Sequence, residues 1–184
     1  LKSYGLDRIK AGNTVLIKPN LLLAASPQMA VTTHPLIVKS VCEFALSMGA
    51  RVQISDSPAM GAFRKIIKQG SYEEALEGLD VKMAPFEDSE KINIGDPFGA
   101  IEVARDAVHA DYIINLAKLK THTQMLLTLG VKNMFGCIVG LRKPQWHLRA
   151  GVDRGMFARL LVRLYESLRP DVTIVDGILA LEGL

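Results

Sequence analysis

Thr14-Val15-Leu16-Ile17 is a short apolar run rich in β-branched residues, closed by Gly12-Asn13 before it and Lys18-Pro19-Asn20 after it. Bounded by turn residues and too short for a helix, it reads as a strand buried on both faces. Downstream, Pro35 suits the first position of a helix, with Ile37, Val38, Val41, Cys42, Ala45 and Met48 along one face, Gly49 as its stop and His34 at the cap position. Val52-Gln53-Ile54-Ser55 then predicts a second strand, ending at Asp56-Ser57-Pro58. Strand, helix and strand complete one parallel unit, so the chain opens as an α/β protein.

Residues 60–79 read as helical with a break at Gly70-Ser71, where Ser71 is placed to cap the second piece. Val81 to Phe86 and Ile92 to Ile94 predict short edge-like strands, because Pro85, Gly95 and Pro97 interrupt them. Tyr112 to Leu116 is strand again, Thr121 to Met134 mixes helical and loop signals, and Gly136, Gly140 and Pro144 mark a long irregular stretch. Asp153 caps an amphipathic helix carrying Met156, Phe157, Leu160, Leu161, Leu164 and Leu168, which Pro170 stops. Val172 to Val175 is a last strand running into Asp176-Gly177. The expected architecture is a single α/β domain over residues 1–184, a mainly parallel open sheet with helices on both faces.

Composition agrees with that reading: 184 residues, 49% hydrophobic and 22% charged, describe one ordinary globular domain and exclude collagenous, coiled-coil and disordered classes. The longest apolar run, Leu21 to Ala25, is far short of the roughly 18 residues of a membrane span. Two cysteines, Cys42 and Cys137, give no disulfide framework, so a reducing compartment, the cytoplasm, is expected. The chain opens on Leu1-Lys2-Ser3 rather than Met and is read as a piece of a longer protein. Net charge is only +3, but it is unevenly spread. Residues 71–111 hold eleven Asp/Glu against three Lys/Arg, while residues 112–170 hold ten Lys/Arg against two Asp/Glu. Such a basic block either decorates a surface or lines an anion site.

The strands beginning at Thr14, Val52, Tyr112 and Val172 are each followed at once by groups able to do chemistry: Lys18 and Asn20, then Asp56 and Ser57, then Lys118, Lys120 and His122, and finally Asp176. In an open parallel sheet the carboxyl ends of the strands lie along one edge, where ligands bind, so these four ends are expected to converge on one site. Exposed loops would also be polar, which is the bland alternative.

Six segments, Ile17-Lys18-Pro19-Asn20, Thr32-Thr33-His34-Pro35, Ser55-Asp56-Ser57-Pro58, Lys118-Leu119-Lys120-Thr121-His122, Val131-Lys132-Asn133-Met134-Phe135-Gly136 and Val175-Asp176-Gly177, resemble in that order the motifs of the domain of unknown function 362 family. The resemblance covers nearly the whole chain. It implies no agreed reaction, but members are often joined to ferredoxin-like modules carrying two four-iron clusters. Here no Cys-x-x-Cys-x-x-Cys run exists, and two scattered cysteines cannot supply four thiolates, so no iron-sulfur cluster is expected within this chain. A ferredoxin-like module in the longer protein or on another chain is the expected redox partner.

The residues themselves suggest roles. Lys18, Lys118, Lys120 and Lys132, with Asn20 and Ser57, form an expected cradle for an anionic small molecule. His34 and His122 are the candidate acid/base or ligand groups, and the lysines before His122 favour its neutral ring. Asp56 and Asp176 are the candidate ligands of a divalent metal, with an Asx turn as the alternative at Asp56. His147 is placed to close over the site, and His109 receives no role. No dinucleotide fingerprint, Walker loop, zincin or nucleophile-elbow motif is present. Nucleic acid is not an expected partner, given 6% aromatic residues. The favoured reading is an enzyme carrying out proton-transfer or redox chemistry on an anion; the alternative is a non-catalytic accessory module of an iron-sulfur redox system.

Overall fold

In the computed structural model, residues 5–58, 60–140, 142–150 and 153–183 are described. The opening unit forms as expected: β1 (Thr14–Pro19), α1 (Pro35–Ser47) and β2 (Arg51–Ile54), with β1 and β2 parallel. His34 caps α1, its Nδ1 accepting the Leu36 N–H at 3.3 Å. Helices α2 (Phe63–Gln69) and α3 (Tyr72–Ala75) are split at the predicted break. Ser71, however, supplies no side-chain cap, since its backbone is left-handed (φ 55°). Strand β3 (Val81–Met83) pairs parallel to β2 at the sheet edge. A separate antiparallel pair, β4 (Ser89–Asn93) and β5 (Ala100–Ala104), precedes the short helix α4 (Arg105–His109).

The central strand β6 (Tyr112–His122) pairs parallel to β1 over Tyr112 to Leu116 and parallel to β8 (Val172–Leu181) from Ile114 onward. It is far longer than its apolar segment predicts. Past the end of β1 the vacated edge of β6 is taken by β7 (Leu126–Thr128), antiparallel, with Lys120 opposite Thr128 on that edge and opposite Leu181 of β8 on the other. Backbone pairing with β8 at Lys118 and Lys120 and with β7 from Lys120 to His122 holds this polar stretch extended, although from Thr121 onward sequence mixes helical and loop signals. The irregular stretch resolves into α5 (Gly130–Asn133), a 3₁₀ turn (Met134–Cys137) and α6 (Arg142–Ala150). Helix α7 (Arg154–Leu168) begins at Asp153, whose Oδ1 accepts the Gly155 and Met156 N–H groups at 2.8 and 3.1 Å.

The sheet order β3-β2-β1-β6-β8, with β7 on the β1 side of β6 past the end of β1, separates two apolar layers. Val15, Ile17 and Ile114 face α1, α2 and α3, packing on Val38, Cys42 and Ile66. Leu16 and Ile113 face the other way onto Met134, Phe135, Phe157 and Leu160. Helices therefore cover both faces, as the α/β reading requires. Each fully buried side chain of that size contributes roughly 1.5–3 kcal/mol, so these layers fix the strand ends that carry the polar groups.

Candidate functional site

At the carboxyl ends of β1, β2 and β6 an open cleft of about 1240 Å³ carries Lys18, Asn20, Asp56, Ser57, Lys120, His122, Lys132 and Lys143 among its lining groups. Its floor is an ion pair. Lys18 Nζ lies 2.9 Å from Asp56 Oδ1, and both groups are buried. Asp56 also accepts the Leu21 N–H (Oδ2, 2.9 Å) and the Ser57 N–H (Oδ1, 2.9 Å). The carboxylate thus makes the local turn with Ser57 that sequence offered as the alternative to a metal. Gly136 packs directly on this pair, because a Cβ there would overlap Asp56 Oδ1 and Lys18 Nζ.

A chain of amides ties the strands together above the floor. Lys120 Nζ donates to Asn20 Oδ1 (2.9 Å) and to the Val31 carbonyl (2.6 Å). Asn20 Nδ2 donates to Asn133 Oδ1 (3.0 Å), Asn133 Nδ2 to Asn115 Oδ1 (2.7 Å), and Asn115 Nδ2 to the Gly130 carbonyl (2.9 Å). Each amide uses its acceptor toward one neighbour and its donor toward the next, so the network has one direction and fixes the register of β1, β6 and α5. Asn115 and Asn133 carry no expected role from sequence. The signal was present, since an Asn inside Ile113-Ile114-Asn115-Leu116 must find partners when buried.

Electrostatics of the cleft follow from four lysines facing one carboxylate among its lining residues. Burial, reinforced by neighbouring cations, pulls Lys120 and Lys132 down to about 8, and burial likewise lowers Lys143 to about 8. Lys143 donates to the Ser57 carbonyl, so α6 is latched to the turn after β2. Lys132 Nζ sits over the rings of Phe135 (4.9 Å) and Phe157 (5.7 Å). Burial, with Lys132, His147 and Lys120 nearby, lowers His122 to about 4, so its ring is neutral at physiological pH. Its Nδ1 accepts the Gln124 and Met125 N–H groups at 3.1 and 3.2 Å, which leaves the ring proton on Nε2. His147 also lines the cleft, between Phe135 and Phe157, and burial lowers it too.

Three expected members lie elsewhere. Lys118 is offset by three residues along β6 from Asn115, the register partner of Lys18, so it points to the opposite face of the sheet. There Lys118 Nζ pairs with Asp176 Oδ2 at 2.7 Å, and the same oxygen accepts the His34 backbone N–H at 2.8 Å. Lys118, Asp176 and His34 are not among the cleft-lining residues. This corrects the expectation of four strand ends meeting at one point: Lys118 is taken by Asp176, whereas Lys120, two residues on and past a register shift against β8, reaches Asn20 and the Val31 carbonyl. Asp56 and Asp176 do not come together as metal ligands, because each is held by a buried lysine. Among the described residues no group of three His, Cys, Asp or Glu side chains is placed to hold a metal. Bland loop exposure fails as well, since Asp56, Asp176, Lys18 and Lys118 are all buried.

The fold and the cleft define an open parallel α/β protein with a cationic crevice at its strand ends. Residues 15–184 match the family described as a domain of unknown function (DUF362), and the chain belongs to that family. A thylakoid-associated protein of Synechocystis sp. is 38% identical over 175 residues, covering 95% of this chain and 54% of the relative, so the chain spans about half the length of that protein. Among solved structures, the lactate racemase apoprotein from Thermoanaerobacterium thermosaccharolyticum superposes with a TM-score of 0.63 at 11% identity, covering 92% of this chain and 44% of that one. That likeness is one of fold. Among the described residues, no helix is long and apolar enough to cross a membrane.

Proposed function

We propose that the cleft binds a small organic anion, a carboxylate or phosphate, and that the domain performs proton-transfer chemistry on it. The observation that carries this reading is the imbalance of charge: Lys18, Lys120, Lys132 and Lys143 line the cleft against Asp56 alone. Lys18 is neutralised by Asp56, so the surplus rests on the other three. Apolar walls from Leu21, Leu22 and Phe135 suit the carbon skeleton of such a ligand. The solved neighbour of the same fold is by its name a racemase of lactate, itself a small carboxylate. His122 enters as a hydrogen-bond donor through Nε2–H to an oxygen where negative charge develops, not as the base, because its Nδ1 is occupied by two backbone donors. The carboxylates are bound to lysines, so the reading has no metal in it. Two buried thiols suit a reducing compartment, and we assign the cytoplasm.

Thermal melts with phosphate and with pyruvate, against chloride at matched ionic strength, test the proposal by mass action. Both anions raise the melting temperature of the wild type. Lys132→Met removes most of the gain, whereas Arg159→Ala, on the exposed side of α7, leaves it intact. Equal losses in the two variants would reduce the effect to diffuse screening and end the proposal.

A further inference from the structure

The lysines of the cleft differ in what their amines touch. Lys18 is paired with Asp56, Lys120 donates to Asn20 Oδ1 and the Val31 carbonyl, and Lys143 donates to the Ser57 carbonyl. Among the described residues, Lys132 alone of these four makes neither a hydrogen bond nor a salt bridge, feeling Asp56 only at longer range. Its amine rests instead against the faces of Phe135 and Phe157. It is also presented on α5, which Asn133 and Asn115 bolt to β1 and β6, so the stem springs from a fixed backbone.

We propose that Lys132 is a covalent nucleophile, and that its amine condenses with the carbonyl of a 2-oxo acid to form an imine within the cleft. The proposal rests on the anion reading above, since the carboxylate of the 2-oxo acid is what the neighbouring cations would hold. A nucleophilic amine must be unprotonated and have its lone pair available. The amines of Lys120 and Lys143 are turned onto the carbonyl oxygens they donate to, whereas the ring faces around Lys132 exclude water and leave its amine unengaged by an acceptor. Burial beside Lys143 and Lys18, which lowers Lys132 to about 8, supplies a substantial neutral fraction near neutral pH.

The step balances without another reactant. The amine lone pair forms a C–N bond to the carbonyl carbon while the C=O π pair moves onto oxygen, which His122 Nε2–H is placed in the same cleft to stabilise. Both amine protons leave with that oxygen as water, and the C=N bond remains. No electrons are gained or lost.

Pyruvate with sodium borohydride tests this on the protein as it stands, because hydride reduces the C=N bond to a stable secondary amine. The expected result is one carboxyethyl group per chain, mapped by peptide mass spectrometry to Lys132. Acetone, a carbonyl without the carboxylate, should label at least about tenfold more slowly, the worth of one charge-assisted contact. Lys132→Arg should take no label. Adducts scattered over surface lysines, or a single adduct on Lys120 or Lys143, would overturn the assignment. If pyruvate leaves no adduct while phosphate still raises the melting temperature, the imine is wrong and the anion site stands. If neither occurs, both fall together.

Discussion

At the scale of single residues, the site is held by a buried ion pair whose neighbours leave it no room. Gly136 illustrates the constraint, since the space a Cβ would need is occupied by Asp56 and Lys18, both buried and each fixed by further bonds. Gly136→Ala should therefore destabilise the domain by at least about 2 kcal/mol, overpacking being compounded by disturbance of a buried pair. Urea unfolding at unchanged m reads this directly; a shift below about 0.5 kcal/mol would show that the pair can move aside. Removing one partner leaves a buried unpaired charge, so Lys18→Met should cost about 3–5 kcal/mol, and the double change Lys18→Met with Asp56→Leu should recover a good part of it. A double variant no better than the single would mean that Asp56 matters through its two backbone N–H contacts and not through Lys18.

At the scale of elements, α1 and α7 show what was legible from sequence. The Pro35 start, the His34 cap and the Asp153 cap all follow from local rules, and Asp153→Ala should lower stability by about 1 kcal/mol, measured by thermal or urea melts. No loss would imply that the α7 N-terminus is satisfied by other groups. The buried strands β1, β2 and the first half of β6 were equally readable, because their apolar runs have one use in a domain of this size. The second half of β6 was not. The apolar run ends at Leu116, and Lys118, Lys120 and His122 beyond it are polar at every second position, a short period-two signal that only the pairing with β7 and β8 turns into strand. The site was legible to the same extent. Lys18, Asn20, Asp56, Ser57, Lys120, His122 and Lys132 line the cleft, whereas Lys118 and Asp176 pair with each other beside the His34 N–H outside it, a long-range pairing that no local signal carries. Lys143 was missed, its helix being hidden among glycines and a proline.

For the whole molecule, burial of titrating groups predicts how stability varies with pH. Lys120, Lys132 and Lys143 are lowered from about 10.5 to about 8, so above pH 8 the folded chain binds fewer protons than the unfolded one and stability rises with pH. Cys42 and Cys137 are pushed by burial from 9.0 to about 12, so above pH 9 they act in the opposite sense. Three lysines outweigh two thiols, so the unliganded domain should gain stability from about pH 8 to about 10 and turn over above it, where Tyr72, raised by burial from 10.0, joins the thiols; Lys132→Met should flatten the initial rise. A monotonic fall from pH 8 would contradict the dry environment of the lysines. The same two thiols are packed on opposite faces of the sheet, Cys42 on the buried side of α1 and Cys137 in the layer that holds Phe157. They cannot share a cluster, so iron and acid-labile sulfide should both be absent from anaerobically prepared chain; stoichiometric iron would require clusters bridged between chains.

The proposed anion site depends on a surplus of lysine charge, which calorimetric titration with sulfate probes without interference from the ligand, whose own charge is constant near neutrality. At fixed ionic strength the affinity should fall as pH is raised through about 8, where Lys120, Lys132 and Lys143 discharge. It should drop by about tenfold or more in Lys132→Met at pH 7, as loss of one charge-assisted contact requires. Sulfate binding that is flat from pH 7 to 9, or equal in wild type and Lys132→Met, would contradict the account.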